Sequence, residues 1–406
     1  MLDIARIREE FPILLRTVYG RPLVYLDSGA TAQKPRAVIE CTERLYRELN
    51  ANIHRGVHYL SSEATAMYEA AREQIRTFIG ASSREEVIFT SGATASLNTV
   101  ARSWSERFLR EGDNIIISQM EHHSNIVPWQ MAAQARGAEI RVLPFDDSGR
   151  LCTELLDTLI DSRTRMVAVT QASNTLGTRP DIETVVTRAH AAGAHVTVDG
   201  CQGIVHGGTD VARMGCDFYA FSAHKLYGPT GTGVLYGRRE LLEQMPPCAG
   251  GGDMVESVSF EKTTYAPLPL KFEAGTANYV GAIAAAEAVR FVSSLDAAAV
   301  EDHERRLTQL AHRLLSEIEG LRIYGTTEDK CSIVSFDIEG VHNYDVGMIL
   351  DKLGIAVRTG HHCAEPVMRR FGVSGMCRAS MALYNTEDEI EALAAGVRRA
   401  VRMLRK

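Results

Sequence analysis

Short, almost wholly apolar runs alternate along the first two thirds of the chain with longer stretches whose apolar residues recur at helical spacing. Val87–Thr90, Asn114–Ser118, Met166–Thr170, His195–Asp199, Asp217–Phe221 and Gly233–Tyr236 read as strands. Most are too continuously apolar for a sheet with one wet face, so they are expected to be covered on both sides. Ile126–Arg136 and Ile182–Ala192 carry the helical period between them. Repeated β-α-β units predict a mainly parallel sheet, and ligands on such sheets bind beyond the carboxyl ends of the strands.

After about residue 285 the texture changes. Ile283–Ser293 and Ala297–Leu321 read as helices, Cys331–Phe336 as an alternating strand, and Asp345–Leu353 as a helix. Ile355–Val357 and Arg378–Leu383 read as further strands. Thr386-Glu-Asp-Glu389 has the capping-box pattern and opens a last helix, with Leu393, Val397, Val401 and Leu404 on one face. The basic cluster Arg398, Arg399, Arg402, Arg405 and Lys406 reads as a solvated helix face rather than a site for an acidic partner. We therefore expect an N-terminal segment over 1–22 packing on the small domain, a large domain over 23–285, and a smaller α+β domain over 286–406.

Composition narrows the class. The chain has 406 residues, 45% hydrophobic and 23% charged, which excludes disorder and a coiled-coil rod and allows two to three domains. A net charge of −7 argues against a nucleic-acid platform. No apolar run approaches the ~18 residues of a membrane span, and Met1–Glu10 has no apolar core of a secretory signal. The 8 cysteines show no C-x-x-C spacing, so we expect no metal and a reducing, cytoplasmic compartment.

Candidate chemistry begins at Phe221-Ser-Ala-His-Lys225-Leu-Tyr-Gly-Pro-Thr-Gly-Thr-Gly233. Lys225 follows a buried strand and is walled by small residues, where desolvation favours a Schiff-base amine; the plain alternative is a lysine snorkelling at a strand end. His195-Val-Thr-Val-Asp199-Gly-Cys-Gln-Gly203 puts an acid at the end of another buried strand. An aspartate there holds a pyridine nitrogen protonated in pyridoxal phosphate sites, and Gln202 is placed to contact the ring's phenolic oxygen. The alternative is an ordinary strand-end cap. Thr90-Ser-Gly92-Ala-Thr94 opens a helix whose free N–H groups suit a phosphate, with Ser222 and His224 beside the lysine. His122, in Met120-Glu-His122-His-Ser-Asn125, is placed to stack on a flat ring, unless the His pair is a metal ligand or a polar loop.

Together these segments resemble the fold-type-I pyridoxal-phosphate enzymes of the class V aminotransferase family. The segment Arg358-Thr-Gly-His-His-Cys363-Ala-Glu-Pro366 resembles the active-site cysteine loop of its type II cysteine desulfurases, the SUF-system desulfurase and selenocysteine-lyase-like group. Tyr25-Leu-Asp-Ser28, Asn52-Ile-His-Arg-Gly-Val-His58, Glu121-His-His-Ser-Asn125, Ser173-Asn174-Thr-Leu-Gly-Thr178, Phe272-Glu-Ala-Gly-Thr276 and Met376-Cys-Arg378-Ala-Ser380 extend the likeness nearly end to end. The resemblance implies an α/β fold with a mainly parallel seven-stranded sheet in the large domain and a small α+β C-terminal domain carrying the cysteine loop. It implies pyridoxal 5′-phosphate bound covalently by Lys225, with Asp199, Gln202, His122, Thr94, Ser222 and His224 around it. Thr276 would reach the phosphate of the other subunit of a homodimer. Arg358, Arg378 and Asn174 would bind the substrate carboxylate, and Cys363 would accept sulfur from L-cysteine, leaving L-alanine.

The implied role is sulfur supply for iron–sulfur cluster assembly through an acceptor protein, either a SufE-like shuttle or a zinc-bearing SufU-like protein. His361 or His362, with the nearby Arg358 and the electropositive site, is expected to favour the Cys363 thiolate. Selenocysteine lyase activity and a class V aminotransferase are the alternatives on the same site. The chain departs from the family pattern at Gly29, Ala93, Gln171 and Cys201, none of them in the implied catalytic set.

Overall fold

The computed structural model describes residues 2–206 and 208–405. Seven strands form the central sheet: β1 (Val87–Thr90), β2 (Asn114–Ser118), β3 (Glu139–Leu143), β4 (Thr164–Thr170), β5 (His195–Asp199), β6 (Phe218–Ser222) and β7 (Gly233–Gly237). Their order is β1-β7-β6-β5-β4-β2-β3. Only β7 runs against its neighbours; every other adjacent pair is parallel. Strands β2, β6 and β7 are buried along their whole length, as continuous apolar runs require.

The hydrophobic pattern does not indicate β3. It is an edge strand carrying Glu139 and Arg141, and its apolar signal is diluted by the charges that guard an open edge. Asp217, expected inside a strand, precedes β6. Its carboxylate accepts from Val196 N–H at 2.7 Å and is 2.8 Å from His190 Nε2.

Helix α1 (Ala93–Phe108) springs from β1 through Gly92, whose φ of +150° suits only glycine. Gly233 on β7 lies so close that a Cβ there would sit 2.4 Å from Gly92 Cα. Two glycines thus bring two backbones together at the start of a helix.

A second, four-stranded antiparallel sheet follows: β8 (Leu321–Tyr324), β9 (Ile333–Ile338), β10 (Arg358–Gly360) and β11 (Met376–Ser380), in the order β8-β9-β11-β10. Helices α2 (Ala297–Ser316) and α3 (Glu387–Leu404) pack together, and Leu307, Leu315, Val334, Phe336, Leu393 and Val397 share their core. The Thr386/Glu389 capping box is present. The helix expected to reach Leu321 stops at Ser316, because Gly320 turns the chain at φ +71° into β8. Ile355 and Ala356, expected as a strand of their own, pair in parallel with Val24–Tyr25. The last strand starts at Met376 and ends at Ser380, whose N–H then bonds to Leu26 O at 2.8 Å.

The N-terminal segment touches both layers. Arg8 donates to Tyr384 O and pairs with Glu389 at 3.0 Å, while the Phe11 ring packs against Tyr227, Phe291 and Tyr384. In the basic cluster, Arg398 pairs with Glu317 at 2.9 Å and Arg405 donates to the carbonyls of Glu319 and Glu339; Lys406 lies outside the described residues. Among the described residues no helix is long and apolar enough to cross a membrane.

Candidate active site

The carboxyl ends of β1, β2, β4, β5 and β6 open on one cavity of about 170 Å³, closed on its far side by β10, β11 and the loop after β10. Its lining includes Thr94, His122, Asn174, Asp199, Ser222, His224, Lys225, Arg358, Cys363 and Arg378. Ten of the residues singled out from the sequence therefore converge.

At one end, the Ser222 hydroxyl accepts from Ala93 N–H at 2.8 Å, and the Thr94 and Ser124 hydroxyls are 2.8 Å apart. Gly92 supplies no side-chain cap and Ser222 takes only the Ala93 N–H, so the next N–H groups of the first turn of α1 are left for an anion. Burial, with Lys225 and Lys34 nearby, lowers the His224 imidazole to about 4, which keeps it neutral.

In the middle, Asp199 is buried and accepts from Cys201 N–H at 3.0 Å. His122 is lowered to about 4, by burial first and Lys225 second, and its Nδ1 accepts from Ser124 N–H at 3.1 Å. A neutral imidazole oriented in this way suits stacking on an aromatic ring. The residue before it is anchored: Glu121 accepts from Thr170 N–H and Asn125 Nδ2, each at 2.7 Å, and from the Ser118 hydroxyl. Burial pushes its carboxyl up to about 8.

The other end is cationic. Arg358 and Arg378 face each other across β10 and β11. Arg378 is buried and donates to Asn174 O at 2.8 Å and Asp27 Oδ1 at 3.0 Å, while its Nε has no partner. Arg358, 43% exposed at its side chain, is 4.0 Å from Asp27 Oδ2. One carboxylate between two guanidinium groups leaves a positive charge and an orphaned donor, the chemistry of a carboxylate site.

Cys363 sits on a strained tip. His362 and Cys363 have φ of +52° and +54°, both left-handed without being glycine. The tip is strapped down by Asn174 Nδ2, which donates to His362 O at 2.7 Å, and by His123 N–H, which donates to Cys363 O at 2.7 Å. The His123 and His361 rings stack at 5.8 Å.

Some expectations need correcting. His362 cannot favour a thiolate by positive charge: burial and Arg378 push its imidazole down to about 3, and its Nε2 donates to Met376 O at 3.1 Å. Gln202 is buried with Nε2 donating to Gly29 O at 2.8 Å, and it does not line the cavity. Thr276 is exposed and outside the cavity of its own chain, which accords with its expected place at the site of another subunit. Asn174 lines the cavity and spends one N–H of its amide on the cysteine loop. Asp27, Glu121 and His123 were present in the quoted strings but carried no role there; only their partners across the fold give them one. Among the described residues, no three His, Cys, Asp or Glu side chains cluster as a metal site.

A seven-stranded α/β sheet with a lysine and an aspartate at its strand ends defines a class, and the family comparison agrees with it. The chain belongs to the aminotransferase class-V family, whose model matches residues 24–393. It is 50% identical over 402 residues to the cysteine desulfurase of Dickeya dadantii (strain 3937), covering 99% of this chain and 97% of that one. The cysteine desulfurase of Serratia proteamaculans (strain 568) is 49% identical, with 99% of each chain covered. Among solved structures, the Escherichia coli cysteine desulfurase CsdA, in its S-sulfonic acid form, superposes with a TM-score of 0.93 at 43% identity and 100% coverage of both chains. The apo cysteine desulfurase of Thermococcus onnurineus NA1 gives 0.94 at 36% identity, covering 100% of this chain and 99% of that one.

The cofactor of this class is pyridoxal 5′-phosphate, and the cavity suits it. The close approach of Gly92 and Gly233 leaves no side chain at the start of α1, where Ser222 and Thr94 stand, and Asp199 and Lys225 stand at neighbouring strand ends.

Proposed function

We propose that this chain is a pyridoxal-phosphate-dependent cysteine desulfurase that takes sulfur from L-cysteine, releases L-alanine and holds the sulfur as a persulfide on Cys363. The observation that carries the reading is the convergence of Lys225 and Cys363 on one cavity with Asp199 and paired arginines. When bound, the cofactor supplies an electron sink that makes the substrate's α-proton acidic and its sulfur open to attack.

The chain's own residues do the rest. Lys225 holds the cofactor covalently and, once displaced by substrate, its amine takes the α-proton and returns it. Asp199 would keep a proton on the ring nitrogen, the neutral His122 would cover the ring, and Gln202, tethered to Gly29, would support the cavity wall from behind. Thr94, Ser222, His224 and the start of α1 would hold the phosphate, with Thr276 contributed by a second copy in a homodimer. Arg378 and Arg358 bind the substrate carboxylate; Asn174 supports them by fixing the cysteine loop. The Cys363 thiolate attacks the substrate sulfur, an S–S bond forms, and the C–S bond breaks with its electrons left on the carbon fragment. That fragment gains protons and leaves as alanine.

The enzyme is read as cytoplasmic, passing its sulfur to an acceptor protein for iron–sulfur cluster assembly; the 8 cysteines, all unpaired, support a reducing compartment. The test is incubation with L-cysteine, with and without candidate acceptors, measuring alanine and protein-bound persulfide. Cys363→Ala is expected to keep the visible absorbance of bound cofactor and to lose alanine formation by about 100-fold or more. Undiminished turnover by that variant removes Cys363 from the reaction; amino exchange with glutamate in place of alanine release favours an aminotransferase.

A further inference from the structure

Lys34 lies just outside the cavity, and none of the roles above uses it. Its Nζ donates to Ala32 O, to His224 O at 3.1 Å and to Thr31 Oγ1 at 3.4 Å. All three acceptors are neutral, and among the described residues no carboxylate pairs with it. Burial alone holds its ammonium down to about 8. A partly buried cation without a counter-charge is costly, so it should either lose its proton or find an anion.

The phosphate end of the cavity has the opposite deficit. A phosphate monoester carries about −1.5 to −2 charges at neutral pH. The groups facing it are hydroxyls and N–H groups, and the start of α1 supplies roughly half a positive charge. His224 is neutral, and the Lys225 nitrogen is committed to the cofactor's aldehyde carbon. The cations that act on the His224 ring are Lys225 and Lys34. Lys34 is therefore the uncommitted one, and it is bonded to the carbonyl of the very residue whose side chain lines the cup.

We propose that Lys34 is the counter-ion of the cofactor phosphate, acting across the His224 peptide without touching the phosphate. The inference rests on reading the cavity as the pyridoxal phosphate site. It makes Lys34 a positioning residue with two separable properties: a latch between the segment at 31–34 and the lysine turn, and a charge that favours the phosphorylated form of the cofactor.

Equilibrium binding separates the two. Cofactor-stripped protein is titrated with pyridoxal 5′-phosphate and, separately, with pyridoxal, which has the same ring and aldehyde but no phosphate. Lys34→Gln, which retains donors, and Lys34→Met are two uncharged variants, and Lys34→Arg keeps the charge; melting temperatures check folding. Removing the charge should weaken pyridoxal 5′-phosphate about tenfold and leave pyridoxal unchanged, with Arg restoring the preference. Equal weakening of both ligands would reduce Lys34 to a latch and overturn the proposal, as would unchanged affinity for the phosphorylated ligand. Should wild-type protein fail to bind pyridoxal 5′-phosphate through Lys225, the reading of the cavity itself falls, whatever Lys34 does.

Discussion

Two arginines directly opposite on paired strands repel each other, a local choice that costs stability unless something between them is negative. At Arg358 and Arg378 that something is Asp27, and one carboxylate cannot neutralise both. The residual positive charge is what the proposed carboxylate site would use. The two residues are not equivalent, because Arg378 is buried and bonded to Asn174 O whereas Arg358 reaches solvent. Arg358→Ala should therefore raise the KM for cysteine about tenfold with a smaller change in kcat, and leave stability within ~0.5 kcal/mol. Steady-state kinetics beside a urea unfolding curve measures both. Lys225 and Asp199 were legible because each follows a buried apolar strand, whereas Arg358, Arg378 and Cys363 were pointed to by the family resemblance of their strings. Asp27 was not legible, since nothing near it in sequence shows that two guanidinium groups return to it.

Among the elements, the junction of β1, α1 and β7 is the most sensitive to sequence. Gly92 and Gly233 touch backbone to backbone, so any side chain at 233 meets main chain, which cannot move aside as a flexible side chain would. Gly233→Ala should cost ~3 kcal/mol in urea unfolding and release cofactor before the protein unfolds, seen as loss of visible absorbance at lower denaturant. The strands themselves were readable where both faces are buried, since such strands are continuously apolar. Strand β3 was not, because an edge is guarded with charge, and Ile355–Ala356 was assigned without its partner, since pairing to Val24–Tyr25 is not a local property. The cysteine loop is a further case: its sequence shows the thiol, while its left-handed backbone at His362 and Cys363 depends on the donors that Asn174 and His123 bring to it.

At the scale of the whole molecule, burial decides protonation. His122, His224 and His312 are held at about 4 and His362 at about 3, in each case chiefly by desolvation. These folded-state values lie below the ordinary 6.5, so the native state binds fewer protons than the unfolded chain. The stability they contribute is complete above about pH 6.5 and is lost as pH falls towards 4. Melting temperature should decline across that window, and His362→Gln, which can still donate to Met376 O, should flatten the decline; an equal slope in both proteins rejects His362 as a contributor. The sequence by itself marked most of the strands and helices, the class of fold and the candidate amine and thiol, because periodicity and short motifs are written within a few turns of chain. Tertiary structure alone decided that Asp27 answers to Arg378 across 351 positions and that the Asn174 amide goes to the His362 carbonyl across 188. It also decided that His362 carries no charge, because convergence and desolvation depend on what the folded chain brings alongside a residue and not on its neighbours in sequence.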